Sequence, residues 1–478
     1  MFRPAVVDNR NSGLGATLDW VISIGLLAAI VFTALAYGTV EPWSLAVFGL
    51  VMVALLILWA IKGAADRRLT INVPSTALPL AALLLLGGLQ SISVADETGK
   101  RFSISLDVEA TRLALEVLLV LFIALLMAAN FLTGSRRLAW LRNFLVFFGL
   151  ALAVFGLVQH FAWNGKYYWV FEPSIPPPSP FGPFVNHNHF AGYMELLAPI
   201  PVALILTRAV RGELSILYGF AAAIMGVATV VSLSRGGSVS LIAGLMFVVA
   251  LGVKPANGAR FGESGRLGFR LPPAVARAGA LAVIILTIGV GVWWVGADPV
   301  IRRVEKGELI MNAPSKDPGK ETFFQSRGWI WRDSVAMIRD NWVTGVGLGA
   351  FQTAYPIYSQ HDGTLLVSQA HNDYLQILTD GGILGALIAL WFLFLVVRDI
   401  ARALRHRDSM MAGMALGCAG GLFALLVHSL FDFNLQLPSN ALLFLVLTSV
   451  VSQVAAAASE GKVSQAFLDR AVRLRAAA

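Results

Sequence analysis

The sequence predicts an all-α polytopic membrane protein, and three observations carry that expectation. Of its 478 residues, 57% are hydrophobic and only 13% are charged, against about 25% charged in soluble domains. Mean hydropathy is +0.72. Apolar stretches long enough to approach the thickness of a bilayer, which takes about 20 helical residues, recur along most of the chain. Lipid is therefore the solvent for most of the surface, and a backbone immersed in it must satisfy its hydrogen bonds within each helix.

Twelve stretches are expected to span, near 18–39, 43–61, 76–94, 113–132, 139–161, 189–207, 216–233, 238–253, 274–295, 383–397, 412–433 and 438–456. Basic residues alternate between their connections. Segments such as 62–68, 208–211, 254–270 and 398–407 are rich in Lys and Arg, whereas the short loops between them hold only Lys100, Arg101, Lys166 and Arg235. By the positive-inside rule this places both termini in the cytoplasm. The first stretch ends on Ala34-Leu35-Ala36, a pattern that also suits a cleaved signal peptide; its apolar run is longer than a usual signal core, so an uncleaved first helix is expected. The chain reads as a single membrane domain over 1–478. Within it, the Gly/Pro-rich segment 254–273 is a cytoplasmic connector, and 296–375 is a large loop on the outward face between the ninth and tenth spans.

Charge and cysteine content exclude several functions. The formal charge of +8 is explained by topological Lys and Arg, so nucleic-acid binding is not expected. Cys418 is the single cysteine, which leaves neither a disulfide framework nor a thiolate metal site.

Polar residues gather in the outward connections. In "FFQSRGWIWRDSVAMIRDNW" (323–342), Trp331, Val335, Ile338 and Trp342 recur at helical steps and predict an amphipathic helix. Arg327 is expected just before that helix as an anion-binding candidate, and Arg332 on it. "TGVGLGAF" (344–351) reads as a glycine-rich turn. "SQAHNDYLQILTDGGILG" (368–385) places His371, Asn372 and Asp373 before the tenth span. A histidine there suits general-base chemistry near neutrality, while Asn or Asp at that place equally suits a helix cap. In "SLSRGG", Arg235 sits at the rim of two apolar helices; its planar fork could grip phosphate, or it could simply snorkel. "VNHNHFAGYMELL" sets Asn186, His187, Asn188 and His189 at the mouth of the sixth span and Glu195 inside it. Two histidines without further ligands do not make a zinc site, and hydroxyl or sugar contacts fit the cluster better. In "HSLFDFNLQLPSN", His428 and Asp432 are four apart and are expected to pair along one helix in a supporting role.

Taken in order, "SLSRGG", "SRGWIWRDSVAMIRDNWVTGVGLGAF" and "HNDYLQILTDGGILG" closely resemble the O-antigen ligase/polymerase family, which includes the Wzy-type polymerases. The resemblance covers about 180–440. It implies a GT-C-type inverting glycosyltransferase of the bacterial inner membrane, active on the periplasmic face in lipopolysaccharide or exopolysaccharide biosynthesis. It would transfer a glycan en bloc from undecaprenyl diphosphate to a sugar hydroxyl, on a glycan or on lipid A–core, with no metal or other cofactor. Arg235 and Arg327 would bind the donor diphosphate and His371 would serve the acceptor hydroxyl. Small residues in "GMALGCAGG" (413–421) would line a groove for the prenyl tail. Asp380 stands where such sequences often have glutamate. The competing class is a transporter, of bicarbonate or of a lipid-linked glycan, which should carry its polar residues near the bilayer midplane.

Overall fold

The computed structural model describes residues 13–95, 101–172, 180–252, 323–359 and 367–476. Its helices are, in chain order, α1 (Gly13–Leu35), α2 (Pro42–Ala65), α3 (Ala77–Gln90), α4 (Val108–Phe131), α5 (Ser135–Phe161), α6 (His187–Leu197) and α7 (Pro199–Leu206), then α8 (Glu213–Val231) and α9 (Arg235–Gly252). After the ninth predicted span, which lies outside the described residues with the connector 254–273 and His361, come α10 (Phe323–Asp340), α11 (Phe351–Tyr358), α12 (Asp373–Ala403), α13 (Ser409–His428) and α14 (Pro438–Ala476). A short antiparallel hairpin pairs β1 (Ser93–Ala95) with β2 (Arg101–Ser103).

Among the described residues, ten helices are long and apolar enough to cross a membrane, α6 and α7 together making one of them. They coincide with ten of the twelve predicted stretches. The third stretch forms α3, which is apolar but only 14 residues long. Local sequence sets the starts: Pro42 occupies the first turn of α2, and Asp107, Asn186, Asn372 and Asp408 each cap a helix by accepting a hydrogen bond from a backbone amide of its first turn.

Helix α13 is the axis of the bundle, enclosed by α6, α7, α9 and α14. Its small residues explain how. A Cβ on Gly417 would stand 2.6 Å from the Ile200 Cα, one on Gly420 3.0 Å from the Pro199 Cβ, and one on Gly421 2.9 Å from the Leu196 Cα. The stripe is therefore filled by α6 and α7, which corrects its expected role as the wall of a lipid groove. Close backbone approach between helices is what small residues provide where lipid supplies no hydrophobic drive to associate.

Helix α12 is broken at Gly382, where φ is 59° and ψ −156°. The amides released by the break are satisfied by the preceding segment: Ile383 N–H donates to the Trp342 carbonyl at 2.8 Å and Leu384 N–H to Val343 at 3.3 Å. The polar helical segment from Asp373 to Gly381 thus forms a collar above the apolar part of the span. Contacts bring the connections at this end together. Leu106 N–H donates to Val346, Asp373 N–H to Ser429, and the Asn188 side chain to Asp432.

Helix α10 forms as the spacing predicts, with two corrections. The helix starts before Arg327, so that residue lies within it. Its buried face carries Asp333, Ser334 and Met337, while Val335 is exposed, as is Trp342 just past its end; Asp333 and Tyr355 hydrogen-bond in the interior, which a count of apolar positions cannot foresee.

Candidate active site

Asp432 is the hub of the polar cluster. It lies just past the end of α13 and is 1% exposed. Asn188, one residue into α6, donates to its Oδ2 at 2.6 Å, and Arg327 Nη2 lies 3.4 Å from the same oxygen. His371 Nδ1 stands 3.2 Å from Oδ1, which also accepts from the Phe433 amide at 2.9 Å. Three segments far apart in sequence therefore converge on one carboxylate. Burial alone would raise the pKa of Asp432, but the His371 hydrogen bond and the Arg327 charge outweigh it and hold the carboxyl well below the usual range. Burial likewise draws the Arg327 guanidinium down from its ordinary value, opposed by Asp432; a guanidinium still stays protonated.

His371 adopts a left-handed backbone conformation, φ 50°. For a residue with a Cβ this is strained by about 1–3 kcal/mol and persists only where surroundings enforce it. They do so here. Ala370 N–H donates to Gln376 Oε1 at 2.7 Å, Trp331 Nε1–H donates to the Ala370 carbonyl at 3.0 Å, and the Phe433 ring packs T-shaped with the imidazole, centroids 4.9 Å apart. Asn372 and Asp373 hold this turn against the end of α13. Asn372 caps α12 and donates to the Leu430 carbonyl at 3.0 Å. Asp373 Oδ2 accepts from Ser429 Oγ at 2.8 Å. The cap expected of this motif is thus Asn372, the residue after His371.

A second buried rung lies below the hub. His428 Nδ1 is 2.9 Å from Glu195 Oε1, both side chains essentially inaccessible, in a close contact that lacks hydrogen-bond alignment. This corrects the expected His428–Asp432 side-chain pair. Helix α13 ends at His428, so Asp432 turns away toward Asn188 while His428 reaches across to α6. The "SRGG" turn rests on this rung: a Cβ on Gly236 would stand 2.9 Å from the His428 ring, and one on Gly237 3.0 Å from Glu195 Oε1. Arg235, the first residue of α9, precedes these glycines. His189 is buried, with the edge of Phe433 4.9 Å away. Asn186 is the cap of α6 and His187 is half-buried in its first turn. Arg332 is mostly exposed and pairs with its neighbour Asp333 at 3.1 Å.

The supports missed in the sequence are lone polar residues in apolar helices. Gln90, fully buried at the end of α3, donates to the carbonyls of Thr344 and Asp380 and accepts from Leu348 N–H. Asp380 accepts from Gly349 N–H at 3.2 Å, so the glycine turn is wrapped around it, with φ of 71°, 112° and 77° at Gly345, Gly347 and Gly349. An amide buried in a span is itself the signal that could have found Gln90.

A many-helix bundle thus carries a histidine and an arginine on one buried carboxylate. A family model described as O-antigen ligase matches residues 220–390 of the 478, which supports a place for that segment in the O-antigen ligase/polymerase family. The match contains Arg235, Arg327 and His371; Asn188, Glu195, His428 and Asp432 lie outside it. No curated protein gives a significant match to the chain.

Proposed function

We propose that the protein transfers a glycan en bloc from undecaprenyl diphosphate to a sugar hydroxyl on the periplasmic face of the bacterial inner membrane, with both termini in the cytoplasm. The observation that carries this reading is the sharing of Asp432 by His371, Arg327 and Asn188. With His371 Nδ1–H donating to Asp432, Nε2 is left as the proton acceptor, and the imidazolium that forms is stabilised by the carboxylate.

In the reaction, the acceptor oxygen bonds to the anomeric carbon as its proton passes to His371 Nε2. The bond from that carbon to the diphosphate oxygen breaks on the opposite face, and its electron pair leaves with the diphosphate. One such displacement inverts the anomeric centre. Arg235 and Arg327 would neutralise the charge growing on the leaving group, in a site where low water content strengthens each guanidinium contact. That supply of positive charge is the chemical reason a divalent cation is not required.

One feature favours transfer over transport: the groups on Asp432 gather at one end of the bundle, where the connections meet. Ligase and polymerase share this chemistry and differ in acceptor.

The test is the surface glycan of a strain lacking the gene, complemented with wild type or with His371→Ala at equal level. Removing the base should reduce transfer by about 10²–10⁴-fold. Single repeat units in place of long chains would identify a polymerase; full chains retained on the lipid carrier would identify a ligase. Full restoration of the glycan by His371→Ala would end the catalytic assignment.

A further inference from the structure

One carboxylate serves two functional side chains in this cluster, and its contacts are unequal. Asp432 Oδ2 receives Asn188 at 2.6 Å but Arg327 at only 3.4 Å, the edge of hydrogen-bonding distance, through a single nitrogen. Oδ1 receives the Phe433 amide at 2.9 Å and His371 at 3.2 Å. If Arg327 left, three donors would remain on Asp432, so no buried charge would be orphaned. Arg327 engages this carboxylate through one of the five N–H groups of its fork, in a geometry well short of the bidentate pairing that fork can make. The residues that hold the hub together are thus distinct from the one it can release.

We propose that Asp432 holds Arg327 in reserve and yields it to the donor diphosphate, so that the internal carboxylate and the substrate compete for one guanidinium. This rests on the diphosphate-donor reading above and adds the order of events. Before the donor arrives, Arg327 neutralises Asp432. Once the diphosphate draws Arg327 away, the full charge of Asp432 bears on His371, and the base is strengthened only when a donor is in place. The groups facing His371 in this exchange are Asp432 and Arg327, with His189 across the Phe433 ring.

The competition makes a prediction that a merely structural Asp432 would not. Removing its charge should tighten anion binding while slowing chemistry. The probe is inorganic pyrophosphate, titrated calorimetrically at fixed ionic strength into the full chain in lipid nanodiscs. Asp432→Asn should bind it about fivefold or more tightly than wild type, while turnover with lipid-linked donor falls about 10²-fold or more as His371 loses its charged partner. Asp432→Ser removes the same charge and gives the same sign if the Asn variant does not accumulate. Unchanged or weaker pyrophosphate binding by a folded charge-free variant overturns the inference. Arg235→Gln separates that result from failure of the underlying reading. If wild type binds pyrophosphate and Arg235→Gln does not, the donor site stands and only the competition is at issue; if wild type itself does not bind, the donor reading falls and the competition with it.

Discussion

Replacing Gln90 by leucine tests how the collar around the site is held. The substitution is nearly isosteric and would suit an apolar helix on composition alone. In the fold, however, Gln90 is fully buried and its side chain makes three hydrogen bonds: to the Thr344 carbonyl at 2.6 Å, to the Asp380 carbonyl at 2.9 Å, and from the Leu348 amide at 3.0 Å. Side-chain hydrogen bonds inside membrane bundles average about 0.6 kcal/mol each, so their simple loss amounts to about 2 kcal/mol. Orphaned partners add to this. The Asp380 carbonyl keeps the Gly347 amide at 3.1 Å, but Leu348 N–H and the Thr344 carbonyl lose the Gln90 contact in a packed turn, at about 1–3 kcal/mol for each group left unsatisfied. Leucine at 90 returns part of this by burying an apolar side chain, which leaves an expected loss of about 3 kcal/mol or more. Steric trapping in bicelles measures unfolding free energy in lipid directly, and cleavage of the 343–350 segment by added protease reports whether the turn has loosened. A loss below about 1 kcal/mol with an unchanged cleavage rate would refute the claim that this amide, rather than apolar packing, holds the glycine turn.

Three further outcomes follow from the same contacts. Gly421→Val should destabilise by about 1–3 kcal/mol through overpacking against α6, whereas Gly88→Ala, whose Cβ meets nothing within 4 Å, should be neutral or slightly stabilising; similar losses from both would contradict the packing of α13. Glu195→Gln should cost about 3–5 kcal/mol because it strands His428 in the interior, and the double change Glu195→Leu with His428→Phe should recover part of that loss; a double variant no better than the single would show that the rung is not a charge pair. Asp432 is held below the ordinary carboxylate range in the fold, so the unfolded chain takes up its proton first as pH falls. Its contribution is present at neutral pH and should fade from about pH 4 downward; Asp432→Asn should therefore lose less stability than wild type over that interval, and parallel acid slopes would remove the charge argument.

Particular residues show why some of this was readable from sequence and some was not. The ten spans were legible because lipid imposes a length and a polarity on any helix that crosses it, and that demand acts locally. Arg235, Arg327 and His371 were likewise visible, as costly residues beside apolar helices in an order that resembles a known family. Their division of labour was not visible. "HNDY" was compatible with a cap or a base at His371, and the fold assigns the cap to Asn372, the clasp to Asp373 and the strained, exposed-edge position to His371. His428 and Asp432 were four apart and read as partners, yet the helix ends between them and each takes a partner on α6.

The sequence by itself determined the solvent, the rough limits of the ten spans seen among the described residues, and the chemical types available at one end of the bundle. Only the tertiary structure decided that Asp432 is the centre, that Gln90 and Asp380 hold the glycine turn, and that the small residues of α13 admit neighbouring helices instead of a lipid tail. The physical reason is the range of the interactions. Burial in lipid is felt by each residue alone, whereas a hydrogen bond across 244 positions, as from Asn188 to Asp432, exists only after the helices have packed.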